Sequence, residues 1–295
     1  MRYPSPVEVS VIIPTYKPKK LQLVLDALLK QSTMTMFEII IVSRDQYLER
    51  MFQTLSIVTP VRWVYLGKPG ISAARNYGSR FAAGHTLVFL DDDCVPDVDW
   101  LRNLLNTQKL EKADVVSGPA LPYYMDCPYN KAHQAGTEYL FRTLNADGQA
   151  HIGTSMNLLV DADKYRKLGG FDETFRSFGE DFEFNIRYME AEFIKSAYDP
   201  CAIVRHAREF PTFLSLLKHN FQYGKGDAMT ETAIMAKFNK RVDTGLRLMQ
   251  LAKMTAWTSL KYGLCSGVAL MVAQFVRQVG KLTWNMGKHE IRDTR

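Results

Sequence analysis

Three successive carboxylates, Asp91, Asp92 and Asp93, follow the apolar run at residues 86–90. Like charges at such separations raise one another's pKa, so the cluster is unfavourable unless a cation lies beside it. A divalent ion relieves this repulsion. Oxygen ligands with no thiolate pair nearby point to Mg²⁺ or Mn²⁺, which also bridge to substrate phosphates. Taken alone, the cluster fits a metal site and a solvated turn ahead of a helix equally well.

Strands and helices alternate around this cluster. Apolar, β-branched runs at residues 9–14, 37–42, 61–66 and 86–90 predict buried strands. The residue spacing predicts helices over residues 21–30 and 72–83, the second with Ser72 as its N-cap and Gly84 as its stop. This alternation predicts an α/β fold, with a doubly wound, mostly parallel sheet that has helices on both faces.

Polar residues follow the predicted strands at their carboxyl ends, where ligands bind in sheets of this type. They are Pro14, Thr15 and Tyr16 after the first strand, Ser43 and Asp45 after the second, and the three aspartates after residues 86–90. We therefore expect all three groups to line one edge of the sheet.

The alternation loosens beyond residue 116. Residues 119–150 are rich in Tyr, Pro and Gly, and we interpret them as irregular. A strand is predicted at residues 156–160 and a short helix from Asp161. An amphipathic helix is predicted over residues 181–193, with one apolar side formed by Phe182, Ile186, Met189 and Phe193. A strand-like segment at residues 201–204 leads to His206, after which the chain is predicted to be helical and basic.

A separate carboxylate, Asp181, begins the predicted helix at residues 181–193. A hydroxyl that acts as a nucleophile must lose its proton, and a carboxylate within hydrogen-bond reach can accept it. The helix dipole favours the ionised form at this position, although Asp at a helix start is also a common cap. Glu180 and Glu183 are rival carboxylates for the role of base.

As a set, these motifs resemble glycosyltransferase family 2, which has the GT-A fold. The similarity spans residues 8–226 and rests on an opening strand that ends in Pro-Thr-Tyr, the Gly70 to Asn76 segment, the aspartate cluster, and residues 153–181. In one respect the chain differs. The family usually places an Asp pair after the second strand to receive the nucleobase, whereas Ser43, Arg44 and Asp45 stand here.

The resemblance implies a metal-dependent, inverting transferase of hexosyl type. Such an enzyme moves a sugar from a nucleoside diphosphate sugar to a glycan or lipid-linked hydroxyl acceptor, in glycan or cell-envelope polysaccharide biosynthesis. Asp181 is the implied catalytic base, and Asp91, Asp93 and His206 are the implied ligands of Mg²⁺ or Mn²⁺. The implied nucleotide-sugar residues are Pro14, Thr15, Tyr16, Asp45, Gly70, Arg75, Asp91 and Asp92. Those implied at the acceptor, or behind the residues that contact it, are Asn157, Glu180, Lys218 and Lys225.

Two other functions remain open from the sequence. Residues 91–95 also fit the DxDx[TV] pattern of haloacid-dehalogenase-like phosphatases, in which the first Asp, here Asp91, attacks phosphorus. That motif normally ends the first strand of its domain, whereas two strand–helix units precede it here. The second alternative is a non-catalytic GT-A-like protein that binds a nucleotide or a glycan.

The chain has 295 residues, of which 46% are hydrophobic and 23% charged, and this composition excludes a disordered protein. We expect a catalytic domain over residues 1–226, with nucleotide-sugar binding in about 1–118 and acceptor binding in 119–226. A helical extension follows over residues 227–295. Residues 208–295 hold 14 Lys/Arg and 6 Asp/Glu, so the positive charge of the chain is concentrated there.

Within this basic region, residues 262–276 carry no charge. They are fewer than the roughly 20 that span a bilayer, so a buried helix and an interfacial helix on anionic lipid both fit. The four cysteines show no CxxC pairing, which argues against a zinc site and a disulfide framework. No signal peptide is recognisable, so we expect a cytoplasmic protein at the inner face of the cytoplasmic membrane, without a nucleic-acid partner.

Overall fold

The computed structural model describes residues 7–16, 18–45, 48, 61–144, 153–175, 179–238 and 248–293. The chain divides into two compact units. The first comprises Met1–Leu121, Phe141–Arg176 and Glu180–Ala207, and the second comprises Pro122–Leu140, Ser177–Gly179 and Arg208–Arg295. The boundary that we predicted after residue 226 falls within a helix of the second unit.

The strands are β1 Val9–Thr15, β2 Phe37–Ser43, β3 Val61–Tyr65, β4 Thr86–Leu90, β5 Cys94–Pro96, β6 Val115–Ser117, β7 Ala120–Pro122, β8 Asn157–Asp161, β9 Ser196–Tyr198 and β10 Val204–His206. The helices are α1 Leu21–Leu28, α2 Ile71–Ser79, α3 Trp100–Glu111, α4 Pro128–Leu144, α5 Ala162–Lys167, α6 Glu180–Glu190, α7 Phe213–Phe238, α8 Leu248–Tyr262 and α9 Leu264–Asp293.

A seven-stranded sheet has the order β3-β2-β1-β4-β8-β6-β9. Strands β1 to β4 run parallel to one another, and β8 is antiparallel to β4 and β6. Thr15 and Ser43 are register partners at the ends of β1 and β2, and Ile12 of β1 lies beside Phe89 near the end of β4. The three polar groups that follow these strands therefore lie at one edge of the sheet, as predicted.

Alternate residues of the central strands enter two different cores, because successive side chains point to opposite faces of a sheet. Val11 and Ile13 belong to the cluster that holds Leu25 of α1 and Leu104 of α3. Ile12 belongs to the cluster that holds Phe184 of α6. Each such burial contributes about 1.5–3 kcal/mol. The predicted fold, with helices on both faces of the sheet, is confirmed.

The helix predicted at residues 72–83 has different ends. It begins after Gly70, whose φ is 125°, and ends at Ser79. Ser72 is therefore inside the helix and not its N-cap, and its hydroxyl donates instead to the Phe175 carbonyl at 2.7 Å. Gly84 does not stop the helix. A Cβ on Gly84 would lie 2.7 Å from the backbone carbon of Val9, so close packing against β1 requires glycine there.

The prediction that residues 119–150 are irregular was wrong for most of them. Strand β7 and the helix α4 occupy much of it, and residues 145–150 lie outside the described residues. Ala132 and Ala135 are buried, and a Cβ on Gly136 would meet Leu270 at 3.3 Å. Tertiary packing supplies the stability that Tyr, Gly and polar residues do not give a helix by themselves.

The apolar side predicted for α6 was also wrong. The helix buries Phe184 and Tyr188, whereas Met189 and Phe193 are exposed and Phe182 and Ile186 are only partly buried. The ring of Phe184 lies 4.7 Å from that of Phe171. The side of α6 that enters the core is therefore the one that carries Phe184 and Tyr188, next to the predicted side.

In the second unit, α7 and α9 cross closely at two glycines. A Cβ on Gly224 would lie 1.8 Å from the Arg277 carbonyl oxygen, and one on Gly280 would lie 2.1 Å from that of Phe221. Leu216, Met254 and Leu270 form part of the apolar core of this unit. The predicted helical C-terminal extension is confirmed. Across the described residues, no helix combines the length and apolar character that crossing a membrane requires.

Candidate active site

The end of β1 holds the central aspartate of the cluster. Thr15 Oγ1 donates a hydrogen bond to Asp92 Oδ2, and the backbone N–H of Tyr16 also donates to this carboxylate. Burial raises the pKa of Asp92 to about 7, although the hydrogen bond from Thr15 opposes the shift. Asp92 is thus fixed to the neighbouring strand by the Pro-Thr-Tyr segment.

Arg75 of α2 joins the cluster to α6. Its side chain is fully buried, and it donates to Asp91 Oδ1 at 2.6 Å and to Glu180 Oε1 at 2.9 Å. Burial disfavours the guanidinium charge, but attraction from Asp91 and Glu180 prevails and raises the pKa of Arg75. Arg75 therefore neutralises two carboxylates that would otherwise repel each other at the same edge of the sheet.

Asp93 and His206 meet where β10 pairs with β5. His206 Nε2 lies 3.2 Å from Asp93 Oδ2, and His206 is the register partner of Cys94 in the antiparallel pair. Donor atoms of Asp93, Cys94 and His206 lie within 4.8 Å of one another. A carboxylate oxygen and an imidazole nitrogen at this separation fit a divalent cation. The sequence did not reveal Cys94, because only the pairing of β5 with β10 brings it to this position.

Asp181 lies in the first turn of α6, on a different element from the aspartate cluster. Its Oδ1 accepts from the Phe182 N–H at 2.8 Å. Burial and the neighbouring charge of Glu180 raise the pKa of Asp181 to about 7. Among the described residues, no Lys, Arg or His forms an ion pair with Asp181. This carboxylate can therefore exchange a proton near neutral pH.

The rival carboxylates are held by cations. Glu180 accepts from Arg75 and from Ser155 Oγ, the latter at 3.3 Å. Glu183 is fully buried and receives two hydrogen bonds of 2.6 Å from Arg187. Both rivals thus have their carboxylate oxygens occupied by arginine, which leaves Asp181 as the candidate base among the three.

Several predicted nucleotide residues lie around the same edge. Pro14 is buried within β1, and Tyr16 is 67% exposed with the Arg44 guanidinium 5.5 Å from its ring. Asp45 is exposed after β2, and its N–H donates to Ser43 Oγ at 2.9 Å. Gly70 precedes α2 with a positive φ, where L side chains are strained.

Asn157, predicted at the acceptor or behind the residues that contact it, is held inside the protein. It is fully buried, accepts from Trp100 Nε1 at 2.7 Å, and donates to the carbonyls of Pro119 and Ala202 at 3.1 and 2.8 Å. Its amide is therefore engaged by the protein. Lys218 and Lys225 lie on α7 in the second unit. Lys218 is exposed, and Lys225 Nζ lies 4.8 Å from the Phe221 ring.

Asn76 is a positioning residue, and the sequence analysis assigned it no role. Its Oδ1 accepts from Tyr165 Oη at 2.6 Å and from the Phe171 N–H at 2.9 Å, and its Nδ2 donates to the Phe171 carbonyl at 2.8 Å. The side chain thus fixes the Gly-Gly-Phe-Asp-Glu segment beside α2. Its position directly after Arg75 in the Gly70 to Asn76 segment is the feature of the sequence that could have pointed to it.

Solved structures of other proteins share this fold. A mannosyltransferase from Pyrobaculum calidifontis, PcManGT, was solved with GDP-Man and Mn²⁺. It is 15% identical, with a TM-score of 0.59 over 93% of this chain and 87% of its own. S. aureus TarS 1-349 in complex with UDP-GlcNAc is 15% identical, with a TM-score of 0.54 over 95% and 92%. The chain has the GT-A fold of glycosyltransferases.

The family follows from the sequence match. Residues 10–169, more than half of the chain, match Glycosyl transferase family 2, and the chain belongs to this family. Glycosyltransferase AglE of Haloferax volcanii is 28% identical over 233 residues, which are 74% of this chain and 72% of that relative. The phosphatase interpretation of Asp91 is thereby set aside.

Proposed function

We propose that the chain is an inverting hexosyltransferase, which moves a sugar from a nucleoside diphosphate sugar to a hydroxyl acceptor. The observation that supports this most strongly is the separation of two kinds of carboxylate. Asp91, Asp92 and Asp93 are held at the ends of the strands, whereas Asp181 lies in the first turn of α6 with a pKa raised to about 7. One group suits the leaving diphosphate and its cation, and the other suits proton transfer.

In the proposed reaction, the acceptor hydroxyl attacks the anomeric carbon and its proton passes to Asp181. The bond between the anomeric carbon and the diphosphate oxygen breaks as the new glycosidic bond forms on the opposite face. A single displacement of this kind inverts the configuration and needs no covalent intermediate. A positioned general base contributes about 10²- to 10⁴-fold to such a step.

Asp91, Asp93 and His206 are the proposed ligands of Mg²⁺ or Mn²⁺. Arg75 bonds one oxygen of Asp91, so the other oxygen is the proposed ligand. Such an ion, when bound, supplies Lewis-acid neutralisation of the charge on the diphosphate. PcManGT, which shares the fold, was solved with Mn²⁺, and this supports testing a divalent ion here.

The donor pocket is proposed to comprise the eight residues predicted from the sequence, namely Pro14, Thr15, Tyr16, Asp45, Gly70, Arg75, Asp91 and Asp92. PcManGT was solved with GDP-Man and TarS with UDP-GlcNAc, so guanine and uracil nucleotides are the first donors to test. Arg44, which lies against the Tyr16 ring, is proposed to alter the base site that an Asp pair usually forms in the family.

The acceptor is proposed to be a glycan or a lipid-linked sugar in polysaccharide biosynthesis. Residues 119–226 are proposed to bind it, with Lys218 and Lys225 among them. Catalysis is assigned to residues 1–226. The basic C-terminal region is proposed to contact the inner face of the cytoplasmic membrane, because residues 208–295 hold 14 Lys/Arg and 6 Asp/Glu.

A panel of nucleotide sugars tests the proposal. The purified chain is incubated with each donor and Mn²⁺, and donor hydrolysis is scored without acceptor. Hydrolysis of one donor, lost in excess EDTA, is the expected result. Proton NMR of a transfer product then gives the anomeric configuration, and retention would contradict the single displacement. A thermal shift with UDP or GDP but no hydrolysis or transfer with any donor would favour the non-catalytic alternative.

A further inference from the structure

One face of α9 is apolar along most of its described length and is open to solvent. Its members recur every three or four residues, which places them on a single side of the helix. We call them the α9 stripe: Leu264, Val268, Met271, Phe275, Val279 and Leu282, which are 37–72% exposed. At a rise of about 1.5 Å per residue, the stripe is roughly 27 Å long.

The opposite side of α9 is fixed to its own unit. Leu270 and Ala273 are buried in the core cluster of the second unit. Arg277 donates to both carboxylate oxygens of Asp227 on α7 at 2.6 and 2.7 Å, and Lys281 forms an ion pair of 2.6 Å with Glu231. The stripe is therefore held outward by packing and by ion pairs within the second unit, and rotation of α9 does not bury it.

The charge pattern decides which partner fits. Residues 264–289 contain no Asp or Glu, so the stripe has no acidic flank. In a helix pair between two copies, complementary charges beside the apolar seam would set the pairing. Cys265 and Val272, which carry no charge, occupy one flank of such a seam. The region of residues 208–295 also carries an excess of positive charge that repels a second copy.

An anionic lipid surface satisfies both features. Apolar side chains on one side of a helix insert at the boundary between headgroups and acyl chains, and basic residues nearby are attracted to the anionic headgroups. Lys253 of α8 is exposed and contributes to this positive charge. We infer that α9 lies in the plane of an anionic bilayer surface with the α9 stripe inserted. This inference specifies the membrane contact of the proposed function.

Vesicle flotation with the full chain tests the inference. We expect binding to vesicles that contain phosphatidylglycerol, weaker binding to phosphatidylcholine alone, and a decrease with added salt because salt screens the headgroup charge. Phe275→Ser removes an exposed ring without touching the core and is expected to weaken partitioning about tenfold. Phe193→Ser, at a 48% exposed ring in the first unit, is the matched control and should bind as the parent does.

Fluorophores on the exposed cysteines measure in a second way whether the α9 stripe enters the lipid. Cys265 lies beside Leu264 at the start of α9, whereas Cys201 lies in the first unit. An environment-sensitive fluorophore is attached at Cys265 in a Cys127→Ser, Cys201→Ser variant, and at Cys201 in a Cys127→Ser, Cys265→Ser variant. Anionic vesicles should shift the emission to the blue at Cys265 and leave it unchanged at Cys201.

Equal binding by Phe275→Ser and the parent, or an emission shift only at Cys201, would overturn the inference. A second result would also overturn it: the parent forms a dimer, Phe275→Ser does not, and neither protein binds vesicles. The stripe would then join two copies of the chain. Donor hydrolysis in solution does not require lipid. A chain that hydrolyses a nucleotide sugar but ignores vesicles contradicts only the lipid surface, and one that binds vesicles but hydrolyses no donor contradicts only the proposed reaction.

Discussion

The buried guanidinium of Arg75 donates to Asp91 Oδ1 at 2.6 Å and thereby joins α2 to the end of β4. The same guanidinium reaches Glu180, the residue before Asp181. One side chain consequently sets the position of Asp91, a proposed metal ligand, and of the helix turn that carries the proposed base. A link of this kind explains why an arginine is fully buried in this fold.

Replacing this cation should destabilise the protein strongly. Arg75→Met leaves the buried carboxylate of Glu180 and the partly buried carboxylate of Asp91 without their partner. Breaking a buried pair of this kind costs about 3–5 kcal/mol. Denaturant unfolding followed by circular dichroism measures the loss. Arg80→Met, at an exposed position just after the same helix, should change stability by less than about 0.5 kcal/mol. A loss in Arg75→Met as small as that of the control would show that Arg75 does not hold the two carboxylates.

Asp181→Asn tests the base. The amide has the same shape but does not accept the proton, so transfer should slow by about 10²- to 10⁴-fold while donor affinity stays close to that of the parent. Transfer rates and nucleotide binding by calorimetry are the measurements. Asp163→Asn, on an exposed turn of α5, is the control for a lost surface carboxylate. Full transfer activity in Asp181→Asn would move the base to another group.

The pKa of Asp181, raised to about 7, also predicts the pH dependence. A base acts only when it is deprotonated, so the transfer rate should rise with pH and level off above about 7. Stability should change in the opposite direction. Because the folded-state pKa lies above the ordinary value of 3.8, stability from the protonated group is present below about pH 4 and is lost as pH rises through 7.

The comparison with Asp181→Asn isolates this effect. The variant should gain stability relative to the parent between pH 4 and 8, by on the order of 1 kcal/mol since solvent screens part of the shift. Thermal unfolding across that range measures the difference. A constant difference between the two proteins over the whole range would mean that the Asp181 pKa is not raised by folding.

The sheet and its ligand edge were predictable because buried parallel strands appear in a sequence as continuous β-branched runs. Residues 86–90 were predicted as a strand with the same ends that the structure has. The helix α4 was missed because the contacts that stabilise it, around Ala132 and Gly136, come from residues far along the chain. Local spacing carries no information on such partners.

The same limit applies to the site. Thr15 and Asp92 follow adjacent strands, so their meeting could be anticipated from the order of the elements. The position of Cys94 opposite His206 could not, because the three-residue strand β5 leaves too short a pattern to detect and its pairing with β10 is not visible in the sequence. The role of Asn157 required knowledge of which carbonyls surround it.

The metal site should depend on Asp93 and His206. Asp93→Asn and His206→Gln each remove one proposed ligand, and we expect each to weaken Mn²⁺ binding at least about tenfold. Electron paramagnetic resonance of free Mn²⁺ measures this without a sugar donor. Glu192→Gln, an exposed acid of the same unit, is the control. Unchanged Mn²⁺ affinity in both variants would place the ion elsewhere.

The variant Asn157→Asp tests whether Asn157 positions other parts of the protein or binds the acceptor. Asn157→Asp keeps the shape, but an ionised carboxylate does not donate to the carbonyls of Pro119 and Ala202, which now face its charge. We expect a loss of about 2–4 kcal/mol, since two buried acceptors lose their donor and a charge is buried. Asn106→Asp, on the exposed side of α3, should be close to neutral.

The kinetic test of Asn157 follows from its full burial and its bond to Trp100. At a temperature where Asn157→Asp remains folded, the KM for the acceptor should equal that of the parent, because the amide offers no group to a sugar. A variant of normal stability with a KM raised tenfold or more would instead return Asn157 to the acceptor site. The two readouts move in opposite directions for the two roles, so the pair of measurements assigns the residue.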